Sequence, residues 1–344
     1  MKAINEQHGY DWTMYHGDCV DVVRQMPDCS IDFGIHSPPF ANLFIYSDSE
    51  ADMGNCATTE EFIQHYEFLI SELYRTTVVG RLCSVHCKDL PKYANRDDTT
   101  GLFDFPGMIV RAFEKSGWSF HSRVTVWKCP VVERERTNNN GLLHKTIKRD
   151  SSQVRQGMAD YLLTFRKPPA GTLMSDKPIV RPNGITEYVG EEDPRRGHVP
   201  KMEGFHEVPK PVPHPSPYSR TPSNDPALAI WQRYAEPVWW DIDQMDVLNY
   251  RNARTERDER HICPLQLGLI ERAVELWSNP GDVVLSPFGG VGSEGVGSLR
   301  RGRKFVGVEL KSEYFDSACR NLANAERKSQ HVEKGLFDDE ATDE

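Results

Sequence analysis

Apolar and polar positions follow two different periods along the first third of the chain. Residues 30–36 (SIDFGIH) alternate every second position, the pattern of a strand. Between 60 and 78, apolar residues fall at 62, 63, 66, 69, 70 and 73, the stripe of an amphipathic helix, and Thr58 or Thr59 supplies its cap. The same reading predicts strands at 13–17, 82–87 and 118–127, and helices at 19–26 (stopped by Pro27) and 105–116. Strands that alternate with helices favour a sheet with helices on its faces.

The middle breaks this rhythm. Residues 130–160 are polar and charged, with a turn or loop at Asn138-Asn139-Asn140-Gly141, and one more strand is expected at 161–165. From 167 to 226 proline is too dense for long helices or central strands. Trp231, Tyr234, Trp239 and Trp240 follow, read here as core packing in preference to a platform over a ligand. Regular elements return as a helix at 263–277, a strand at 282–285, a helix at 293–301, a strand at 304–308 and a helix at 311–327, ahead of an acidic tail expected to be disordered. The chain therefore divides into 1–129, an insertion at 130–250, a returning segment at 251–330 and a tail at 331–344.

Composition narrows the class. The 344 residues are 38% hydrophobic and 10% aromatic, enough for a core, and no run approaches the ~20 apolar residues of a membrane span. The start of the chain has no apolar stretch like a signal peptide, so the expected location is cytoplasmic and no membrane partner is expected. The eight cysteines form no CxxC pair, which argues against a disulfide framework or structural zinc. The net charge of -10 is unevenly spread: 9 Lys+Arg against 18 Asp+Glu in 1–120, 17 against 12 in 121–230, and 15 against 21 in 231–344. A basic middle third is able to meet phosphate although the whole chain is acidic.

Two motifs carry candidate chemistry. The first is DVVLSPFGGVGSEGVGSLRRGRKFVGVELK: a strand, a Gly-rich turn, a helix start, and a second strand ending in Glu309. Small residues admit a ligand close to the backbone, a helix N-terminus favours negative charge, and the acid suits a ribose diol. The run is neither GxGxxG nor a Walker loop, but it reads as a nucleotide-type cofactor site. The second is Ser37-Pro38-Pro39-Phe40 at a strand tip. The two prolines stop pairing there and leave Ser37 Oγ and the Pro38 carbonyl as acceptors beside an aromatic ring.

Together these motifs resemble the amino (N4-cytosine/N6-adenine) DNA methyltransferase family in its beta-class order, with the tetrapeptide first, a target-recognition region next, and the S-adenosylmethionine (AdoMet) loop last. Gly17-Asp18, residues 81–89 (RLCSVHCKD) and residues 261–267 (HICPLQL) match further motifs in sequence order. The resemblance implies an α/β fold, a Rossmann-like mixed sheet in circularly permuted order with an irregular target-recognition insertion at 130–250.

It also implies site residues. Ser37, Pro38, Pro39 and Phe40 form the catalytic tetrapeptide, with Phe40 stacking on the base. Ser286, Pro287, Phe288, Gly289, Gly290, Gly292 and Ser293 form the cofactor loop. Glu309 would hold the ribose, Asp18 the adenine end, and His261 and Pro264 the methionine end. Arg134, Arg136, Lys145, Lys148, Arg149 and Arg155 are candidates for phosphate contact. The alternative reading of Asp18 is a cap for the helix at 19–26. The partner is double-stranded DNA with its target base flipped out, and a cognate restriction enzyme is a further partner the family allows. Serine at the head of the tetrapeptide favours cytosine N4. Adenine N6 and an inactive DNA-binding relative are the alternatives.

The loop departs from the family's usual DPF-x-GSGT. Ser286 replaces the acid, so a carboxylate for the cofactor's amino group is missing from it. Carbon-5 methylation is disfavoured because no Pro-Cys pair occurs. His86 between Cys83 and Cys87 resembles a metal cluster, but on a strand it faces away from both, and no metal is expected. A nuclease reading that pairs Asp282 with Glu309 and Lys311 is the weakest of those weighed.

Overall fold

The computed structural model describes residues 3–39, 53–56, 58–92, 98–99, 101–137, 143–169, 175–179, 234–249 and 264–338. Phe40, His261, Trp231 and nearly all of the Pro-rich stretch lie outside them.

The strands are β1 (Asn5–His8), β2 (Trp12–His16), β3 (Ile31–His36), β4 (Thr77–Lys88), β5 (Leu90–Lys92), β6 (Gly101–Phe103), β7 (Ser119–Val126), β8 (Asp160–Arg166), β9 (Val238–Trp239), β10 (Val283–Ser286) and β11 (Lys304–Glu309). Nine of them form one sheet in the order β1-β2-β11-β10-β3-β4-β8-β7-β9, and β5 and β6 form a separate hairpin. Strands β2, β11, β10, β3 and β4 are mutually parallel. Within the sheet only β1 and β8 run against the rest. The sheet is thus mixed and mostly parallel, as the resemblance implies.

Both ends of the chain build its centre. Val284 pairs with Phe33 and Leu285 with Gly34, so β10 lies beside β3 although some 250 residues separate them. From β10 the chain passes to β11 on one side, and from β3 to β4 on the other. That reversal is a topological switch point, and ligands of open α/β sheets bind at the carboxyl ends of strands there.

Helices cover both faces. On one lie α1 (Cys19–Arg24), α2 (Thr59–Thr76) and α3 (Phe105–Lys115), whose Val23, Phe62, Tyr66, Leu69, Ile70 and Phe113 pack against Cys83, Val85, Leu163 and Leu285. Thr58 caps α2 by accepting from the Glu61 N–H at 3.1 Å. On the other face lie α6 (Leu267–Trp277), α7 (Ser293–Arg300) and α8 (Ser312–Asp338), whose Leu269, Ile270, Val296, Phe315 and Leu322 pack on Met14, Phe33, Ile35 and Phe305. Each fully buried side chain of this size contributes about 1.5–3 kcal/mol of transfer free energy.

The boundaries differ from expectation in instructive places. Helices α4 (Pro130–Thr137) and α5 (His144–Arg149) flank Asn138-Asn139-Asn140-Gly141 in the polar stretch where no element was expected, and β8 lies between β4 and β7 in the main sheet, inside the segment assigned to the insertion. Helix α8 continues to Asp338, into the stretch read as a tail. Trp239 is fully buried on β9 at the sheet edge, in line with core packing.

The sheet edge remote from the cofactor loop is locked by charge. Arg81 is fully buried, donates to the Asp32 carbonyl (2.9 Å) and the Lys177 carbonyl (3.0 Å), and pairs with Asp282. Lys177 Nζ reaches Asp32 and Asp282, each at 2.8 Å. A buried guanidinium is tolerated where partners surround it in this way. This removes the nuclease reading. Asp282 precedes β10 and Glu309 ends β11, so the two stand at opposite edges, roughly 20 Å apart at about 3.3 Å per strand residue.

Candidate active site

Strand β10 ends at the buried Ser286, and residues 287–292 turn the chain into α7. Gly292 makes that turn with φ 88°, where a Cβ would lie 3.2 Å from the Ala318 backbone. Gly289 lets the loop sit on Met14, since a Cβ there would lie 2.9 Å from Met14 Cε. Above Gly290, by contrast, a Cβ would meet nothing within 4 Å, so this backbone faces open space. Its N–H donates to Glu309 Oε2 at 2.7 Å, and the Lys311 N–H donates to Oε1 at 2.8 Å. Two backbone donors, one on each oxygen, thus fix the Glu309 carboxylate beside the glycine turn.

Other predicted cofactor residues gather at the same edge. Asp18 follows β2, whose neighbour Gly17 donates its N–H to the Glu309 carbonyl at 2.9 Å. Asp18 Oδ1 also accepts the Asp21 N–H at 2.8 Å, so it does cap α1. Pro264 is half-buried just before α6, and because α6 leads back to the start of β10, its N-terminus lies at the end where β10 finishes. His261 lies outside the described residues.

The donor set suits AdoMet, which carries a ribose diol, an ammonium and a sulfonium. Among the described residues, the buried Ser286 Oγ and Ser293 Oγ meet no hydrogen-bond partner, as expected where a polar ligand completes the site. Glu294 is buried in the first turn of α7. Burial, helped by the nearby Glu309, pushes its carboxyl up to about 8. An acid that ionises reluctantly on its own becomes a favourable neighbour for a cation.

Strand β3 delivers the second motif to the same edge. All six of its residues are buried, and Ser37, Pro38 and Pro39 follow with Pro38 buried and the other two half-buried. The ring of His36, the residue before Ser37, lies 5.7 Å from that of Phe288 in the cofactor loop. Tyr66 lies 6.3 Å from Phe288 and bonds His36 Nε2 at 2.6 Å. Burial pushes His36 down to about 3, which keeps it neutral. The two motifs, far apart in sequence, thus share one aromatic contact. Phe40 lies outside the described residues.

The arrangement around Ser37 involves residues that the sequence reading assigned no role. Ser37 Oγ stands 3.2 Å from His86 Nδ1 and 3.3 Å from the His86 carbonyl oxygen. His86 Nε2 stands 3.0 Å from Asp160 Oδ2, and Lys128 Nζ reaches the same oxygen at 2.7 Å. Burial works against ionising Asp160, but its hydrogen bond to His86 and the nearby positive charges of Lys128 and Lys88 hold the carboxyl well below its usual range. His86 lies on β4 two residues after Ser84, facing away from Cys83 and Cys87. That alternation puts His86 on the face of Lys88, whose register partner on β8 is Asp160, a neighbour that only the strand pairing discloses.

The basic candidates separate into different settings. Lys145, Lys148 and Arg149 are exposed on α5. Arg155 is half-buried, 3.7 Å from the buried Glu133, which also accepts the Met158 N–H. Arg134 is half-buried, and the side chain of Arg136 is not among those described. Trp127 is 47% exposed at the end of β7, next to Lys128. Among the described residues, no helix is long and apolar enough to cross a membrane.

Comparison with known proteins agrees with this geometry. A family model described as DNA methylase matches residues 31–320. The chain is 34% identical over 338 residues to the type II methyltransferase M.BglII of Bacillus subtilis, covering 94% of this chain and 76% of that protein. It is 36% identical over 85 residues to the DNA adenine methyltransferase YhdJ of Escherichia coli, covering 24% of this chain and 26% of that one. The chain therefore spans only part of the length of these relatives. Its fold is similar to the solved structure of the PvuII DNA methyltransferase (cytosine-N4-specific), with a TM-score of 0.54, 15% identity and 92% of each chain covered.

Proposed function

The chain belongs to the DNA methylase family whose members modify cytosine N4 or adenine N6, and from that premise we propose that it methylates the exocyclic amine of a flipped base in double-stranded DNA, specifically cytosine N4. The observation that carries the reading is the pairing of β3 with β10, which sends Ser37 and the glycine turn out of one sheet edge side by side. The family's methyl donor is AdoMet.

When bound, AdoMet supplies an electrophilic methyl. Glu309, fixed by the Gly290 and Lys311 N–H groups, accepts from its ribose hydroxyls, and Gly290 leaves room for its approach. Phe288 to Ser293 line the site, Asp18 and Pro264 border it, and His261 belongs to the same set by its motif. The amine of a nucleobase is a poor nucleophile, because its lone pair is delocalised into the ring. Ser37 Oγ and the Pro38 carbonyl accept its two N–H bonds and favour the pyramidal nitrogen that attacks, an electrostatic and positioning effect. Pro39 fixes the direction of that carbonyl, and Phe40 stacks on the base.

Reaching the amine requires flipping, which costs a few kcal/mol and is offset by stacking and phosphate contacts. The exposed Lys145, Lys148 and Arg149 are the candidates for those contacts, whereas Arg155 is already engaged with Glu133. Serine in place of an acid at position 37 favours cytosine. The adenine reading draws on the match to YhdJ.

Incubation with methyl-labelled AdoMet and mixed-sequence DNA, then digestion to nucleosides, tests the proposal. N4-methyldeoxycytidine is the expected product. N6-methyldeoxyadenosine would select the alternative, and DNA binding without label would leave an inactive relative.

A further inference from the structure

Ser37 is not isolated at the tip of β3, and the side chains behind it carry an inference that rests on the methyltransferase reading and deepens it. We propose that His86, oriented by Asp160, is the positioning residue that fixes the Ser37 hydroxyl as an acceptor and then receives the proton released when the target amine is methylated. The inference rests on three contacts: Ser37 Oγ to His86 Nδ1 at 3.2 Å, His86 Nε2 to Asp160 Oδ2 at 3.0 Å, and Lys128 Nζ to the same carboxylate oxygen at 2.7 Å.

The hydrogen-bond inventory sets the polarity of this chain. An ionised carboxylate only accepts, so Asp160 takes the proton of His86 Nε2. A neutral imidazole with its proton on Nε2 presents a lone pair at Nδ1, and Nδ1 faces Ser37. The single hydroxyl proton of Ser37 then has two acceptors behind it, Nδ1 and the His86 carbonyl oxygen at 3.3 Å. Either choice turns that proton inward and leaves the oxygen lone pairs facing outward. Without this arrangement the hydroxyl rotates, and in part of its orientations it presents a donor to an amine that is itself a donor. Lys128, with Lys88 nearby, keeps Asp160 ionised and therefore keeps the order fixed.

The same chain disposes of the proton. The amine nitrogen forms its bond to the methyl carbon while the carbon–sulfur bond of the donor breaks and its electron pair stays on sulfur. The nitrogen is then left with one proton too many. That proton passes to Ser37 Oγ as the hydroxyl's own proton passes to His86 Nδ1, giving an imidazolium paired with Asp160. Solvent recovers the proton from there. Among the described residues, His86 meets Asp160 from β8, and the charged groups around that carboxylate are Lys128 after β7, Lys88 from the end of β4, and Glu133 from α4.

Substitutions at position 86 separate its two contacts. An asparagine places an oxygen acceptor near the Nδ1 position and abandons Asp160. A glutamine reaches toward Asp160 and abandons Ser37. A phenylalanine abandons both. The full chain is assayed by single-turnover transfer of labelled methyl, by calorimetric AdoMet binding, and by NMR of 15N-histidine-labelled protein. We expect His86→Phe and His86→Gln to slow transfer by about 100-fold. His86→Asn restores the acceptor behind Ser37 but cannot take up the proton, so it should recover only part of the loss, to about 10-fold below wild type, and AdoMet affinity should stay within about 2-fold throughout. The NMR spectrum should show Nε2 protonated and Nδ1 bare, with the Nδ1 resonance shifted by Ser37→Ala.

Full activity in His86→Phe, an asparagine no better than phenylalanine, or a proton resident on Nδ1 would overturn the role of His86 while leaving the methyltransferase reading in place. A wild-type chain that transfers no methyl to any DNA would remove both.

Discussion

The donor side and the acceptor side of the cleft are built by different means. On the donor side, main-chain groups set the geometry: the Gly290 and Lys311 N–H groups grip Glu309, and Gly292 turns the loop, all within residues 290–311. On the acceptor side, side chains from distant strands set it. Ser37 meets His86 49 positions on, and His86 meets Asp160 a further 74 positions on. A site made of backbone is carried by a local motif and has few single points of failure. A site made of side chains depends on each member and on the sheet that aligns them.

Substitutions that act on one side only test this contrast. The largest effect is expected from Ser37→Ala, which removes an acceptor of the amine. Turnover should fall by about 100-fold or more while calorimetric AdoMet affinity stays nearly constant. Equal loss in both would erase the division between the sides. Glu309→Ala should do the reverse. The hydrogen bonds it loses are to a charged group, worth about 1.5–3 kcal/mol, so AdoMet binding should weaken by roughly 10- to 100-fold with a smaller change in turnover at saturating donor. Unchanged affinity would mean that Glu309 only braces the loop.

Two weaker perturbations sharpen the comparison from outside the cleft centre. Replacing Lys145, Lys148 and Arg149 together by alanine should lower DNA affinity and reduce the slope of log affinity against log salt by up to ~3, with AdoMet binding unaffected. An unaltered slope would show that α5 does not meet phosphate.

The smallest effect concerns Glu294. Its folded-state carboxyl lies above the unfolded value of 4.5, at about 8, because burial and Glu309 oppose its charge. The stability this gives is complete below pH 4.5 and is lost as pH rises toward about 8. Thermal melting without AdoMet should therefore decline across that window in the wild type and be flatter in Glu294→Gln. Parallel curves would show that Glu294 ionises freely in the folded chain.

The same contrast explains what the sequence discloses. The strand–glycine–helix–strand segment is legible because a tight turn, a helix start and a strand-tip acid each leave a local residue signature, and the structure places Glu309 on the turn. The order of the two motifs points to a permuted sheet, and β10 does pair with β3. The partnership of Ser37, His86 and Asp160 leaves no such trace, since no local period links positions on three strands. Strand alternation separates His86 from Cys83 and Cys87 but gives it no role until β8 is known to lie beside β4. Helices α4 and α5 escape for a related reason: both are short and polar, with no apolar stripe to announce them. Asp18 caps α1, and its neighbour Gly17 bonds the Glu309 carbonyl, so the cap is compatible with the proposed cofactor role.

The central claim is that one cleft holds the methyl donor on the glycine turn and faces it with Ser37. A crystal structure of the chain with AdoMet tests it most directly. The account predicts the ribose on Glu309 and the methyl directed toward Ser37 Oγ. An empty glycine turn, or AdoMet bound with its methyl directed away from residues 37–39, would contradict it.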